Sequence, residues 1–277
     1  MSTVEQLAEF LHRHRDVLVL TGAGISIASG IPGYRDKDGV RKGRMPIQGP
    51  EFRKLEAVRR RYWARSMVGF KTMHLAQPNA AHRTLAALQA SGKLQPIVTQ
   101  NVDGLHSAAG SAGVVELHGN IHRVICLECR ALLPRAAVQT ILEERNPDLA
   151  NVLAQPAPDG DAHVEPDALD TFEPPWCPHC GGMLKPDVVF FGDSVPPETT
   201  RAALQRLEEA DALLVVGSSM VVFSGYRFAR NAAAAGKPVA AINVGRMRAD
   251  DLLSLKIEAP AEQALPQLAD LLGAGVP

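Results

Sequence analysis

Four cysteines stand in two pairs, Cys126-Leu-Glu-Cys129 and Cys177-Pro-His-Cys180, and they are all the cysteines in the chain. Two C-x-x-C knuckles can bring four thiolates to one tetrahedral zinc. Residues 130–176 intervene, far more than a compact ribbon uses. A zinc held by four thiolates has no open position, so it would be structural and not catalytic. Two redox pairs or a cysteine core are the competing readings, and His179 inside the second knuckle is a competing ligand.

Proton chemistry has one prominent candidate. His118 stands in Glu116-Leu-His-Gly119 after the apolar pair Val114-Val115. Its ordinary pKa of about 6.5 lets a histidine take a proton near neutrality. A structural histidine at a strand end is the competing reading, and His82, His106 and His122 have no better claim in isolation. Polar residues also crowd Thr99-Gln-Asn-Val-Asp-Gly-Leu-His106 at the end of an apolar run. A buried strand accepts such groups only with partners. Asn101 and Asp103 could bond ribose hydroxyls or a carboxamide, or they could cap a loop.

Phosphate chemistry is suggested by Gly22-Ala-Gly24-Ile-Ser26, which follows Val17-Leu-Val-Leu20. Glycines admit a phosphate to the backbone, and a helix opening there would supply N–H donors. The motif is not G-x-G-x-x-G, since the next glycine is Gly30, and no acidic ribose-binding residue ends a second strand. A ligand-free turn is the alternative. Val216-Gly-Ser-Ser219 and Ile242-Asn-Val-Gly245 repeat the pattern of small polar residues after apolar runs, as further nucleotide contacts or as tight turns.

These motifs need a scaffold of strand ends. Short apolar runs at 17–20, 96–99, 188–191, 213–216 and 239–242 predict buried strands. Apolar spacing predicts a helix over the start of the chain, and further helices over 80–89, 198–209, 226–235 and 261–272. Strands alternating with helices predict an α/β fold: a Rossmann-like parallel sheet whose strand-end loops bind ligands. Two segments interrupt the rhythm. Residues 37–73 are basic without a clear strand, and 126–183 are bracketed by the cysteine pairs and rich in proline and acids. The expected organisation is a large domain of 1–36, 74–125 and 184–277 with a small helical and zinc-binding lobe of 37–73 and 126–183.

The 277 residues carry 29 basic and 30 acidic side chains, a formal charge of −1. That balance offers no global attraction to nucleic acid or acidic membranes. No apolar run approaches the length of a membrane span. Residues 1–15 lack an apolar signal core, so an unexported chain in a reducing cytoplasm is expected.

In their order along the chain, the motifs resemble the sirtuin family over nearly the whole sequence. The resemblance rests on Gly22-Ala-Gly24-Ile-Ser26, Ser29-Gly-Ile-Pro-Gly-Tyr-Arg35, Thr99-Gln-Asn-Val-Asp103, Leu117-His118-Gly119, both knuckles, Lys185-Pro-Asp-Val-Val-Phe-Phe-Gly192 and Gly217-Ser-Ser219. Arg61-Tyr-Trp-Ala-Arg65, Ala157-Pro-Asp-Gly-Asp161 and the long gap between knuckles look like the class II branch. The resemblance implies removal of acyl groups from lysine side chains of proteins or peptides, with NAD consumed and nicotinamide and O-acyl-ADP-ribose released. It implies one structural zinc on Cys126, Cys129, Cys177 and Cys180. His118 would be the general base acting on a ribose hydroxyl, and Asn101 would orient the ribose. Cofactor contacts carried over by position are Gly22, Ala23, Gly24, Ser26, Tyr34, Arg35, Gln100, Asn101, Val102, Asp103, Gly217, Ser218, Ser219, Asn243, Val244, Gly245 and Ala261. The substrate backbone would pair with Val189, Phe190, Phe191 and Gly192 on one side and with Val221 and Phe223 on the other. Gly33 departs from the family, which commonly has Asp there, and implies a looser cofactor loop. An ADP-ribosyltransferase or NAD hydrolase on the same fold is the alternative. A dehydrogenase lacks its fingerprint here, and a zinc-ribbon binding module would ignore NAD.

Overall fold

Alternate side chains of the first apolar run face opposite ways. Val17 and Val19 join one buried cluster, while Leu18 and Leu20 join another. Strand β1 (Val17–Thr21) is therefore covered on both faces, as a continuous apolar run requires. A computed structural model of the chain describes residues 3–42, 45–150, 152 and 171–274. Its principal sheet also contains β2 (Val98–Thr99), β3 (Val115–Glu116), β7 (Ala212–Val216), β8 (Val239–Ile242) and β9 (Leu255–Ile257). A second sheet is made of β4 (Gly119–Cys126), β5 (Leu132–Pro134) and β6 (Leu184–Val188).

The principal sheet is parallel throughout, in the order β3-β2-β1-β7-β8-β9. Chain order reverses direction between β1 and β7. At such a switch point the loops leaving neighbouring strands diverge and open a crevice at the carboxyl ends. One face of the sheet is covered by α1 (Thr3–Arg13), α4 (Ala80–Ala90) and α10 (Ala261–Leu271), whose Leu7, Leu85 and Leu268 share a cluster with Val19 and Leu214. The other is covered by α8 (Pro197–Glu209) and α9 (Phe223–Ala234), whose Leu207 and Phe228 pack with Leu20 and Val215.

The second sheet packs with α2 (Gly49–Lys54), α3 (Glu56–Leu75), α6 (Arg135–Arg145) and α7 (Pro147–Ala150); a short helix α5 (Leu105–Ala108) follows β2. Phe52, Trp63, Met67, Val124, Leu142, Phe172 and two cysteines form the core here. The small sheet begins at Gly119, ahead of the boundary expected at 126, and it ends within residues 184–188.

Two strand expectations are corrected. The run at 188–191 is not a strand of the parallel sheet: β6 ends at Val188 and pairs antiparallel with β4. Beyond it Val189 N–H donates to the His118 carbonyl, and Gly192 (φ 80°) turns the chain away. The helix expected after the glycine turn is a 3-10 helix, Ala23–Ser29, stopped by Gly30 in the left-handed region. The strand expected at 96–99 pairs only over Val98–Thr99. The Ala157–Asp161 turn lies outside the described residues.

Candidate active site

The loops leaving β1 and β7 touch at the switch point. Gly22 N–H donates to the Val216 carbonyl (3.1 Å) and Gly24 N–H to the Gly217 carbonyl (2.7 Å). A Cβ on Gly24 would lie 2.7 Å from that carbonyl oxygen, and one on Gly217 would lie 2.3 Å from the Ile25 nitrogen. Glycine is required for this approach. Gly24→Ala is expected to cost about 1–3 kcal/mol by overpacking, read by urea unfolding.

Below these loops lies a polar network. Thr21 Oγ1 donates to Thr99 Oγ1 (2.8 Å), so His106 Nε2–H must be the donor in its 2.8 Å contact with Thr21. Ser26 Oγ donates to Asp103 Oδ2 (2.7 Å) and accepts from Asn101 Nδ2 (3.1 Å), which also reaches the Gly22 carbonyl (3.2 Å). Asn101 thus commits its amide nitrogen to the fold, and its Oδ1 makes no hydrogen bond among the described residues. The other oxygen of Asp103 accepts from the Leu105 N–H (3.0 Å). Gln100 Nε2 spans the Thr21 carbonyl and Ser218 Oγ (2.8 Å).

Burial drives His82 down to about 4, against the pull of Asp103, and drives His106 down to about 3, helped by His82. Both pKa values are depressed in the fold, so the unfolded chain binds more protons as pH falls through 6.5. Stability is therefore full above 6.5 and lost down to about 4, by on the order of 3 kcal/mol for His82 at about 1.4 kcal/mol per pKa unit. Urea midpoints between pH 7 and 4.5 should show this slope, and His82→Gln should make it shallower.

His118 is held at both ring nitrogens. Nδ1 lies 2.8 Å from the Gln100 carbonyl oxygen, which can only accept, so Nδ1 carries the proton. Nε2 is then the basic nitrogen, and Ser224 Oγ donates to it at 2.8 Å from the first turn of α9. Burial lowers the His118 pKa, opposed by the bond to Gln100. The ring is a neutral base with its tautomer set by the backbone.

A cleft of about 1480 Å³ runs over these groups. Its wall includes His118, Gly22, Ala23, Gly24, Ser26, Tyr34, Arg35, Gln100, Asn101, Val102, Asp103, Gly217, Ser218, Ser219, Asn243, Val244 and Ala261. Val189, Phe190, Phe191, Gly192, Val221 and Phe223 line it as well. Gly245 does not: it packs against Lys37, whose carbonyl oxygen would lie 2.1 Å from an added Cβ. Phe191 is anchored to α2 by its carbonyl, which accepts from Gly49 N–H (2.8 Å), while Arg53 pairs with Asp193 (2.7 Å). Residue types gave no hint of Ser224 or Arg53 as supporting groups, nor that His82 would be buried beside His106. The polar stretch Thr99–His106 after an apolar run was the signal of this network, and it supplies Thr99, Asn101, Asp103 and His106.

The four cysteines stand apart from the cleft. Their Sγ atoms lie within 4.8 Å of one another, with Cys126–Cys180 at 3.5 Å and Cys129–Cys177 at 3.8 Å. Tetrahedral zinc with Zn–S near 2.3 Å sets its sulfurs about 3.8 Å apart, so the donor set fits zinc. Burial raises the Cys177 thiol, but the backbone N–H groups of His179 and Cys180 and the Cys126 and Cys129 thiols together bring it down to about 7.

Residues 22–224 match the family model described as the Sir2 family. The chain belongs to the Sir2 family. Among curated relatives, the NAD-dependent protein deacetylase of Xanthomonas campestris pv. campestris is 53% identical, over 94% of this chain and 88% of that one. NAD-dependent protein deacetylase 3 of Pseudomonas syringae pv. tomato is 52% identical, over 93% and 92%. A solved Sir2 structure with p53 peptide and NAD+ superposes with a TM-score of 0.79 at 27% identity, over 99% of this chain and 100% of that one. This Sir2 protein accordingly has the sirtuin fold: a Rossmann-like parallel sheet with a small second sheet beside the cysteine cluster.

Proposed function

We propose that this Sir2 protein is an NAD-dependent protein-lysine deacylase, acting on acyl-lysine in proteins or peptides and releasing nicotinamide and O-acyl-ADP-ribose. The observation that carries the reading is His118, a neutral base of fixed tautomer on the wall of a cleft that opens at the β1/β7 switch point. NAD, when bound, would supply an electrophilic ribose carbon for the acyl oxygen, with nicotinamide as the leaving group and water completing release of the lysine. Gly22, Gly24 and Gly217 give its phosphates a backbone surface without side chains, and Asn101 Oδ1 accepts from a ribose hydroxyl. His118 Nε2 takes a ribose proton once the Ser224 hydroxyl yields its place, and the Gln100 carbonyl stabilises the imidazolium that results. Asp103, already bonded to Ser26 and Leu105, fixes the loop that faces the carboxamide.

The exposed residues Phe191, Val221 and Phe223 offer edges on which an extended acyl-lysine segment pairs. Zinc on the four cysteines staples the small lobe and takes no part in the chemistry. The reading extends to the class II branch, to a large domain and small lobe divided near 37–73 and 126–183, and to a cytoplasmic enzyme without nucleic-acid or membrane partners. No helix among the described residues is long and apolar enough to cross a membrane. Positive residues near the cofactor loop in the sequence, Arg41 and Lys42 at the cleft together with Arg44 outside the described residues, favour longer acyl chains ending in a carboxylate over plain acetyl.

Incubation with NAD and a panel of acyl-lysine peptides, read by mass spectrometry, tests the function. Peptide deacylation that requires NAD supports it. Free ADP-ribose, or ADP-ribose attached to protein, with the acyl-lysine untouched would assign the chain to the hydrolase or transferase alternative.

A further inference from the structure

Three arginines surround the exposed segment that leads into α9. Val221, Val222 and Phe223 are 36%, 42% and 46% exposed, an unusual run of apolar surface at the rim of the cleft. Phe223 begins α9, and positions four and seven further on lie on the same helix face. Those positions are Arg227 and Arg230, whose guanidinium carbons sit 5.4 and 5.1 Å from the centre of the Phe223 ring. Arg248 reaches the same segment from the other side. Its Nη1 donates to the Val221 carbonyl (3.0 Å), and its guanidinium lies 4.2 Å from the Tyr226 ring centre.

A guanidinium placed on an aromatic face keeps its in-plane N–H groups directed outward, in the fork that matches a carboxylate. Among the described residues, no carboxylate lies within 4.0 Å of any of these three. Arg227 Nε is buried without a partner, and the one side-chain bond of Arg230 is a 3.5 Å contact to its neighbour Asn231. Elsewhere on this nearly neutral chain, arginines do find carboxylates, as Arg53 finds Asp193 and Arg123 finds Asp187. The rings have oriented these cations, and among the described residues no carboxylate supplies their counter-charge.

Resting on the deacylase reading, we infer that Arg227, Arg230 and Arg248 form a specificity surface for substrates carrying Asp or Glu beside the acyl-lysine. An extended segment laid along Val221–Phe223 sends alternate side chains to one side. An acidic side chain one or two positions from the lysine then meets the arginines, with the hydrocarbon of the segment on Phe223. Exposed pairs contribute little individually, so the selection is a modest preference summed over two or three contacts and weakened by salt.

The test uses three peptides with the same acyl-lysine and with acidic, neutral or lysine flanks. The expected kcat/KM favours acidic over neutral flanks by roughly 3- to 10-fold at low salt, and the gap narrows at 0.5 M salt by screening, where the Debye length falls to roughly 4 Å. Arg227→Gln/Arg230→Gln should bring the ratio close to one while leaving the KM for NAD unchanged. Arg230→Glu should turn the preference toward lysine flanks, a gain that misfolding cannot produce. Equal kcat/KM for acidic and neutral flanks in the unaltered chain, or a ratio that survives the double substitution, would overturn the inference. If no peptide is deacylated, the deacylase reading falls on its own. Fluorescence anisotropy of the three peptides then decides the charge preference separately: tighter binding of the acidic peptide sustains it and equal binding overturns it.

Discussion

Replacing His118 with Ala is expected to reduce deacylation by at least 10²- to 10⁴-fold, the usual range for a positioned base, while NAD binding stays within a few-fold. The division follows from where the ring sits. Its Nδ1 is committed to the Gln100 carbonyl and its Nε2 to Ser224, so in the ground state it serves the fold and not the cofactor. Losing it removes help that the transition state alone receives, which lowers kcat and kcat/KM together. Calorimetric titration of NAD alongside peptide turnover separates the two effects. Near-normal turnover in a folded, zinc-loaded His118→Ala chain would move the base elsewhere. His106, another of the chain's histidines, is buried, does not line the cleft and donates from Nε2 to Thr21, so it is poorly suited to replace it.

The second large effect concerns the metal. Cys126 and Cys177 are buried in the same cluster as Val124, Leu142 and Phe172, so the knuckles are part of the small-lobe core. Cys177→Ala is expected to lose zinc, from about one per chain to none, and to unfold that region. Structural zinc supplies about 10–16 kcal/mol of apparent binding free energy in small domains, far above the few kcal/mol of one buried side chain. Metal analysis and thermal unfolding measure both consequences. A folded Cys177→Ala chain with unchanged melting and no zinc would show that packing alone maintains the lobe.

What could be read from residue types was whatever a local pattern expresses. Val17–Leu20 and Leu213–Val216 became adjacent central strands because unbroken apolar runs need both faces covered. The cysteine pairs converged because thiolate spacing is a local signal, even with a long segment between them. The cleft residues gathered because each stood just beyond a strand, and parallel strands send those loops to one edge. Val188–Phe191 misled for the same reason in reverse: its apolar content is real, but it is used at an exposed rim beside α2, and Phe191 forms a single bridge with Gln48. β9 was missed since Leu255-Lys-Ile257 holds too short an apolar run to stand out. Ser224 could not be found from sequence, because its meaning lies in a contact with a residue 106 positions away.

The central claim is that the acyl group leaves lysine for the ADP-ribose portion of NAD. A peptide whose lysine bears an isotopically labelled acyl group, followed through one turnover by mass spectrometry, tests it most directly. The account predicts equal amounts of free-lysine peptide, nicotinamide and labelled O-acyl-ADP-ribose. Labelled free carboxylic acid released from the peptide at the same rate with NAD omitted would contradict it.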